Sequence, residues 1–319
     1  MSTTTGFVKP PDPTTLLIVD KRHLFPETTN PLHLHVHPGI GDLAWLYAKF
    51  SSLDRPLHLT VAEDKTGRSM PFLDLLPNVI MADYGTQQLD YEYLNLCWNT
   101  TYERLLEEEE KGSKLYLSCN NWLDNGNRLE EWIPDLPTDF HFDIPIPQES
   151  LSNSLYALPP GGCYIGIHTA SIGAADAWNA WGVGEWLGFI QRIHRDFANP
   201  VFVLMGAKWD TPMVRQLEMA LKPFKQIRYV NLSGRTVLSD AIAIIRRCRY
   251  FVGFASGMAI LSTILGIPTL MLYPGHLDKL MYSWPPTHSI GMGSYIGLPW
   301  GRIADVYQRC FLPLYQALM

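Results

Sequence analysis

RYFVGFASGMAILSTILGIPTLMLYPG, residues 249–275, holds two short apolar runs, Tyr250–Val252 and Thr269–Tyr273, on either side of a helical segment, Met258–Leu265. Ser256-Gly257 precedes that segment, and Gly266 and Pro268 close it. Strand, glycine turn, helix, strand is one βαβ unit, and continuous apolar runs of this length suit a parallel sheet covered on both faces. Ser256-Gly257 then falls where a strand ends and a helix begins. Backbone N–H groups converge at such a point, and the helix dipole favours an anion there. The same glycine also serves close helix–strand packing.

Working outward, the totals bound the rest. A chain of 319 residues suits two domains of about 150 each. With 47% hydrophobic and 18% charged residues, it has enough apolar side chains for sizeable cores. A net charge of −6 supplies no general attraction to nucleic acid or anionic membrane. Cys97, Cys119, Cys163, Cys248 and Cys310 are scattered, odd in number and free of any CxxC, which points to reduced thiols and a cytoplasmic setting. No run is long and apolar enough to span a bilayer.

Upstream, Thr15–Val19, Leu32–His37, Leu57–Ala62, Val79-Ile80 and Leu115–Ser118 read as strands. Leu43–Phe50, Ser69–Leu76 and Asn95–Lys111 read as helices. Pro145, Pro147, Pro159 and Pro160 mark residues 145–162 as a linker. A second series follows: strands Tyr164–His168, Val201–Met205 and Ile227–Asn231, and helices Gly184–Phe197, Pro212–Leu221 and Ser239–Arg247, with Ser239 or Asp240 as the last one's cap. A final helix lies within Gly301–Leu318. Two successive series of this kind imply an α/β protein with two doubly wound, Rossmann-like domains, 1–155 and 156–300. His33, His35 and His37 share one strand face, but their spread and the lack of a nearby acid on that strand disfavour a metal site.

Several pieces fall in a telling order: Gly41-Asp42 after a strand, then His168-Thr169-Ala170-Ser171, Trp181 and Trp186, Met205-Gly206-Ala207-Lys208-Trp209-Asp210, Leu232 to Asp240, and Gly253-Phe254-Ala255-Ser256-Gly257. Together they resemble the heptosyltransferase-like family of GT-B glycosyltransferases, those related to the ADP-heptose lipopolysaccharide heptosyltransferases. The resemblance spans most of the chain and is more specific in its second half. It departs from the family at Ala255 and Ile260, where an Asp and a His are usual, and near Asn179, where a phosphate-binding Lys is expected.

The resemblance implies a GT-B fold, with an acceptor domain and a donor domain facing across a cleft and residues 301–319 packing back on the first. It implies metal-independent, inverting transfer of a sugar from a nucleotide-sugar, which is a substrate rather than a cofactor. Asp42 is assigned as general base for the acceptor hydroxyl, an effect worth on the order of 10²–10⁴ in rate. Asp42 also suits a helix N-cap. Gly39 and Gly41 let an acceptor or phosphate approach the backbone. On the donor side, Asp210 is placed for ribose hydroxyls, Thr236 beside the base, and Ser171, Ser256 and Gly257 at the diphosphate. Lys208 or Arg235 takes over from the absent Lys. The acceptor is a glycan, a protein or a modified nucleobase; oligomeric state is left open.

Two other classes compete. Gly39-x-Gly41-x-x-Ala44 follows a strand, with Glu63 about 20 residues on, as in a dinucleotide fingerprint of an NAD-dependent oxidoreductase. Asp42 would repel a pyrophosphate there. A non-catalytic nucleotide- or carbohydrate-binding protein is the third reading, kept open by Ala255 and Ile260.

Overall fold

The computed structural model describes residues 32–36, 39–50, 57–61, 70–77, 79–84, 93–96, 142–169, 181–254, 256–273, 295–299 and 307–312. The chain divides into two compact units. The first comprises residues 1–38, 53–66 and 78–136; the second comprises 39–52, 67–77 and 137–319.

The first unit holds four parallel strands: β1 (Leu32–Val36), β2 (Leu57–Val61), β3 (Val79–Tyr84) and β4 (Tyr93–Leu96), in the order β3-β2-β1-β4. β1 runs in register with β2 from Leu32 opposite Leu57 to Val36 opposite Val61. Leu57, Leu59 and Val61 are fully buried, the alternate positions of one strand face. β4 corrects the sequence reading: Asn95 and Leu96, expected to open a helix, are its last residues. Thr15–Val19, Leu115–Ser118 and the rest of Asn95–Lys111 lie outside the described residues.

The second unit contains α1 (Ile40–Phe50), α2 (Met70–Leu73), α3 (Gln148–Ala157), β5 (Cys163–His168), α4 (Val183–Asp196), β6 (Pro200–Met205) and α5 (Thr211–Leu221). It continues with β7 (Arg228–Asn231), α6 (Leu238–Arg247), β8 (Tyr250–Phe254), α7 (Gly257–Ile264), β9 (Thr269–Tyr273) and β10 (Tyr295–Pro299), and its last described element is one π-helical turn, Tyr307–Phe311. All six strands are parallel, in the order β7-β6-β5-β8-β9-β10. Every residue of β6 and β8 is buried, which explains their unbroken apolar runs. Strand order reverses between β5 and β8. At such a reversal, open α/β sheets bind ligands in the crevice outside the carboxyl ends of the strands.

The helices form two groups: α4 with α5, and α1, α2, α3 and α7 around α6 or one another. Trp186, Phe189, Ile190 and Ile193 recur at helical spacing along α4, and none is exposed. Each such side chain contributes roughly 1.5–3 kcal/mol on burial. Trp181 stacks edge-on to Trp186 at 5.0 Å, so these tryptophans are core.

Three further differences have local causes. Residues 145–162 are not a bare linker: α3 forms within them, its few apolar side chains supplemented by polar bonds to α6. Ser150 Oγ donates to Ser239 Oγ at 2.9 Å, and the Asn153 amide donates to the Asp240 carboxylate. Ser239 and Asp240 are therefore inside the first turn of α6 rather than caps; Val237 is its N-cap residue. The described part of the carboxyl-terminal segment packs on the second unit, not the first. Tyr307 and Phe311 join Phe189, Phe197 and Tyr250 in that unit's core, and the Tyr307 hydroxyl donates to Asp196 Oδ2 at 2.6 Å.

Candidate functional site

The reversal of strand order puts the ends of β5 and β8 side by side, with His168 paired in register to Gly253. His168 is the last residue of β5, and Thr169 follows it. Both are buried, and the Thr169 hydroxyl has no hydrogen-bond partner among the described residues. Ser256 is the N-cap residue of α7, but its hydroxyl does not cap the helix. It meets His168 Nδ1 instead, at 3.0 Å. The other ring nitrogen, Nε2, lies 3.3 Å from Asp210 Oδ2, which also accepts the Ala207 N–H at 2.8 Å. Ser256, His168 and Asp210 thus form one hydrogen-bonded chain across the carboxyl ends of β8, β5 and β6. Those residue types make up hydrolase triads. Ser256, however, has ordinary extended backbone (φ −153°, ψ 166°) rather than the strained turn that projects a hydrolase nucleophile.

A second helix start joins the crevice. α1 begins at Ile40, directly after Gly39, and packs lengthwise on α7. The two helices touch where neither has a side chain. A Cβ on Gly41 would fall 3.0 Å from Gly257 Cα and 2.6 Å from Ile260 Cδ1, and one on Gly257 would fall 3.1 Å from Gly41 N. These glycines exist for backbone approach, and here the backbone that approaches each is the other's. Asp42 is the third residue of α1, inside its first turn rather than ahead of it, so it is not the N-cap. Ile260, at the family's usual His position, is buried against Gly41.

Across the sheet edge, the loops after β6 and β7 and the start of α5 enclose a pocket of about 400 Å³, lined by Lys208, Thr211, Pro212, Arg215, Asn231, Ser233, Gly234 and Arg235. Three lining residues are cations and none is an acid. No cation of the three makes an ion pair with a described residue. Gly234 has φ +68°, and a Cβ there would meet Thr211 Oγ1 at 2.8 Å, so only glycine lets the β7–α6 loop turn this close to α5. Asn231 is held by Glu218, which receives its amide N–H at 2.9 Å. Strands are spaced at about 4.8 Å, so the β5/β8 crevice and this β6/β7 pocket are roughly 10 Å apart along one edge.

Of the donor-side residues expected from sequence, Lys208 and Arg235 line the pocket, while Ser256 and Gly257 lie at the crevice. Thr236 sits two residues ahead of α6 rather than at its start. Asp210 is 5% exposed, with one carboxylate oxygen already shared by His168 and Ala207. Ser171 and Ala255 lie outside the described residues, as do His37 and the side chains of His33 and His35. Arg215 and His168 were not expected as site residues. Arg215 follows Thr211 by four residues on α5, the spacing of one helix face. His168 is the polar residue that ends an apolar strand at the switch point. Among the described residues, no three His, Cys, Asp or Glu side chains gather closely enough to hold a metal.

No family model and no curated protein matches the sequence. The fold does match solved structures. E. coli ADP-heptose lipopolysaccharide heptosyltransferase II superposes with a TM-score of 0.59 at 17% identity, covering 90% of this chain and 98% of that one. A glycosyl transferase family 9 protein from Veillonella parvula gives 0.55 at 14% identity over 88% and 89%. E. coli heptosyltransferase WaaC, solved with ADP, gives 0.53 at 12% identity over 90% and 100%. These likenesses run nearly end to end, and the resemblance first seen in the motifs extends to the whole architecture: the chain has the GT-B fold of the heptosyltransferases.

Proposed function

We infer that the chain is a glycosyltransferase that moves a sugar from a nucleotide-sugar to an acceptor hydroxyl, with inversion and without a resident metal. The observation that carries this reading is the pairing, along one sheet edge, of an anion-suited crevice with a cationic pocket roughly 10 Å away. At the crevice, the first N–H groups of α7 are left uncapped by Ser256, and a helix N-terminus of this kind favours a diphosphate. A nucleoside linked to that diphosphate reaches the pocket, where Lys208, Arg215 and Arg235 supply positive charge and planar guanidinium faces for the base and phosphates. Asp42 is the general base, on the first turn of α1, whose Gly41 backbone lies against Gly257. Ser171, Thr236 and Asp210 remain donor-side residues in this reading, Asp210 acting through its hold on His168. The donor site belongs to the segment 156–300 and the acceptor site to 1–155. The acceptor is a glycan, a protein or a modified nucleobase, and the compartment is the cytoplasm. No helix among the described residues is long and apolar enough to cross a membrane.

The dinucleotide reading of Gly39-x-Gly41 is disfavoured by what fills the space before Gly41. Ile260 and Gly257 stand where a pyrophosphate would have to approach. Thermal unfolding with nucleoside diphosphates, nucleotide-sugars and NAD tests the choice. A ligand at 100 times its Kd adds about 2.7 kcal/mol of apparent stability. Stabilisation by one nucleoside diphosphate and its sugar, with transfer abolished but binding kept in Asp42→Asn, is the expected result. Stabilisation by NAD alone would refute the transferase, and binding without turnover of any donor would leave a binding protein.

A further inference from the structure

We propose that binding of a nucleoside diphosphate in the β5/β8 crevice is coupled to uptake of one proton by His168, which frees the Ser256 hydroxyl from donating to His168 so that it donates to the bound phosphate instead. The proposal rests on the donor reading above and adds a positioning residue to it.

The argument begins with Asp210. An ionised carboxylate only accepts hydrogen bonds, and Asp210 Oδ2 already takes the Ala207 N–H. Its contact with His168 Nε2 therefore requires the ring proton to be on Nε2. In the neutral ring, Nδ1 is then a lone pair, and the Ser256 hydroxyl must donate to it across 3.0 Å. A hydroxyl has one hydrogen. With that hydrogen committed to His168, Ser256 Oγ presents only lone pairs towards the crevice, beside the uncapped start of α7. An anion seated there meets N–H donors from the helix and a repelling oxygen from the serine.

One proton removes the conflict. When His168 carries hydrogens on both nitrogens, Nδ1 donates to Ser256 Oγ, and the serine hydrogen is freed to turn to the phosphate oxygen. The imidazolium stays balanced by Asp210. His168 and Asp210 are 4% and 5% exposed, so solvent does not replace either partner. At the level of His168 the strands flanking β5 add no titratable group: the residues in register with it are Met205 on β6 and Gly253 on β8, and Tyr250 of β8 sits opposite Ile165. A Cβ on Gly253 would already lie 3.1 Å from His168 Cβ, which keeps that side free of side chains. Among the described residues, the Asp210 carboxylate is the one charge within ion-pair distance of the ring. During transfer, the sugar–oxygen bond breaks and the departing diphosphate gains negative charge. The same serine donor and buried imidazolium favour that state, with the proton remaining on the ring throughout.

Calorimetric titration of the full chain with ADP, UDP and GDP tests this. The experiment is run at about pH 8 in buffers of different ionisation heat. The dependence of the observed heat on buffer gives the protons taken up. About one proton per bound diphosphate is expected, with affinity falling about tenfold per pH unit above that point. His168→Gln, which keeps a hydrogen-bonding side chain but does not titrate, should bind more weakly without proton uptake, and Ser256→Ala should lose most of the pH dependence. Tight binding with no buffer dependence in the unsubstituted protein overturns the proposal by itself. Uptake that persists in His168→Gln does the same. Absence of binding by every nucleoside diphosphate would instead bring down the donor reading, and this proposal with it.

Discussion

Replacing Gly41 by alanine probes the junction on which the site is built. The new Cβ would fall 2.6 Å from Ile260 Cδ1 and 3.0 Å from Gly257 Cα. Overpacking of this kind costs about 1–3 kcal/mol. Alanine is the better helix former by up to about 1 kcal/mol, an advantage reduced in the first turn, so the net loss is roughly 1–2 kcal/mol. The first clash is with the tip of a side chain, and the second is with backbone. Ile260→Val removes the tip and by itself costs about 0.5–1.5 kcal/mol. In the Ile260→Val background, Gly41→Ala should cost about 1 kcal/mol less than in the parent, because only the backbone clash remains. Urea unfolding followed by tryptophan fluorescence measures all four corners of the cycle, and the single substitution should shift the midpoint by roughly 0.5 M. Equal losses in both backgrounds, or a gain in stability from Gly41→Ala, would refute the claim that α1 and α7 meet backbone to backbone at these glycines.

Three further outcomes follow from the same structure. Arg215→Gln should weaken binding of the nucleoside diphosphate by about tenfold or more, since a charge-assisted hydrogen bond contributes about 1.5–3 kcal/mol, and the loss should shrink in high salt; unchanged affinity would remove Arg215 from the donor pocket. Burial pushes the Cys248 thiol up to about 12, so iodoacetamide should leave it unlabelled in the folded protein near neutral pH and modify it once urea is added; native labelling at Cys248 would contradict its burial. Hydrogen bonds from Arg195, which grips it through two nitrogens, and from Tyr307 hold the Asp196 carboxyl at about 2. Because that value lies below the ordinary carboxylate range near 4, the stabilisation is complete above about pH 4 and fades as pH falls toward 2. Tyr307→Phe should therefore raise the midpoint of acid unfolding, and an unmoved midpoint would count against the pair.

The βαβ unit at 249–275 was legible because three local signals agree there: apolar runs of strand length, helical periodicity and glycine at the turn. Strand order in the second unit follows from no local signal. It emerges only when β8 pairs with β5 across some eighty intervening residues, and with it the crevice. α3 does not stand out in the sequence because QESLSNSLYA has few apolar residues, and much of what secures it is on α6. β10 pairs with β9 from Tyr295 opposite Thr269 to Pro299 opposite Tyr273 and had no periodic signature that separated it from loop. Lys208, Arg235, Ser256 and Gly257 were reachable through motif resemblance, because each lies in a loop whose position the motif fixes. His168 belongs to one of the motifs, yet its role depends on Asp210 and Ser256, which approach it only in the folded sheet. Arg215 was hidden for a similar reason: one cation on a helix face means little until two more cations and a concave wall surround it.

The seat of α1 on α7 has a consequence for biosynthesis. Leu43, Leu46, Tyr47 and Phe50 give α1 a buried apolar face, and α1 belongs to the unit completed by the far end of the chain. Its partner helix emerges from the ribosome about 200 residues later, a wait of roughly 10–40 s at ordinary rates of synthesis. Throughout that interval the nascent chain carries an amphipathic helix that lacks its α7 cover, although Phe142, which packs edge-on to Tyr47, arrives earlier. Yield in a cell should then depend on chaperone supply more than on the stability of the finished protein, and a fragment starting after α1 should be poorly soluble however well its sheet is formed.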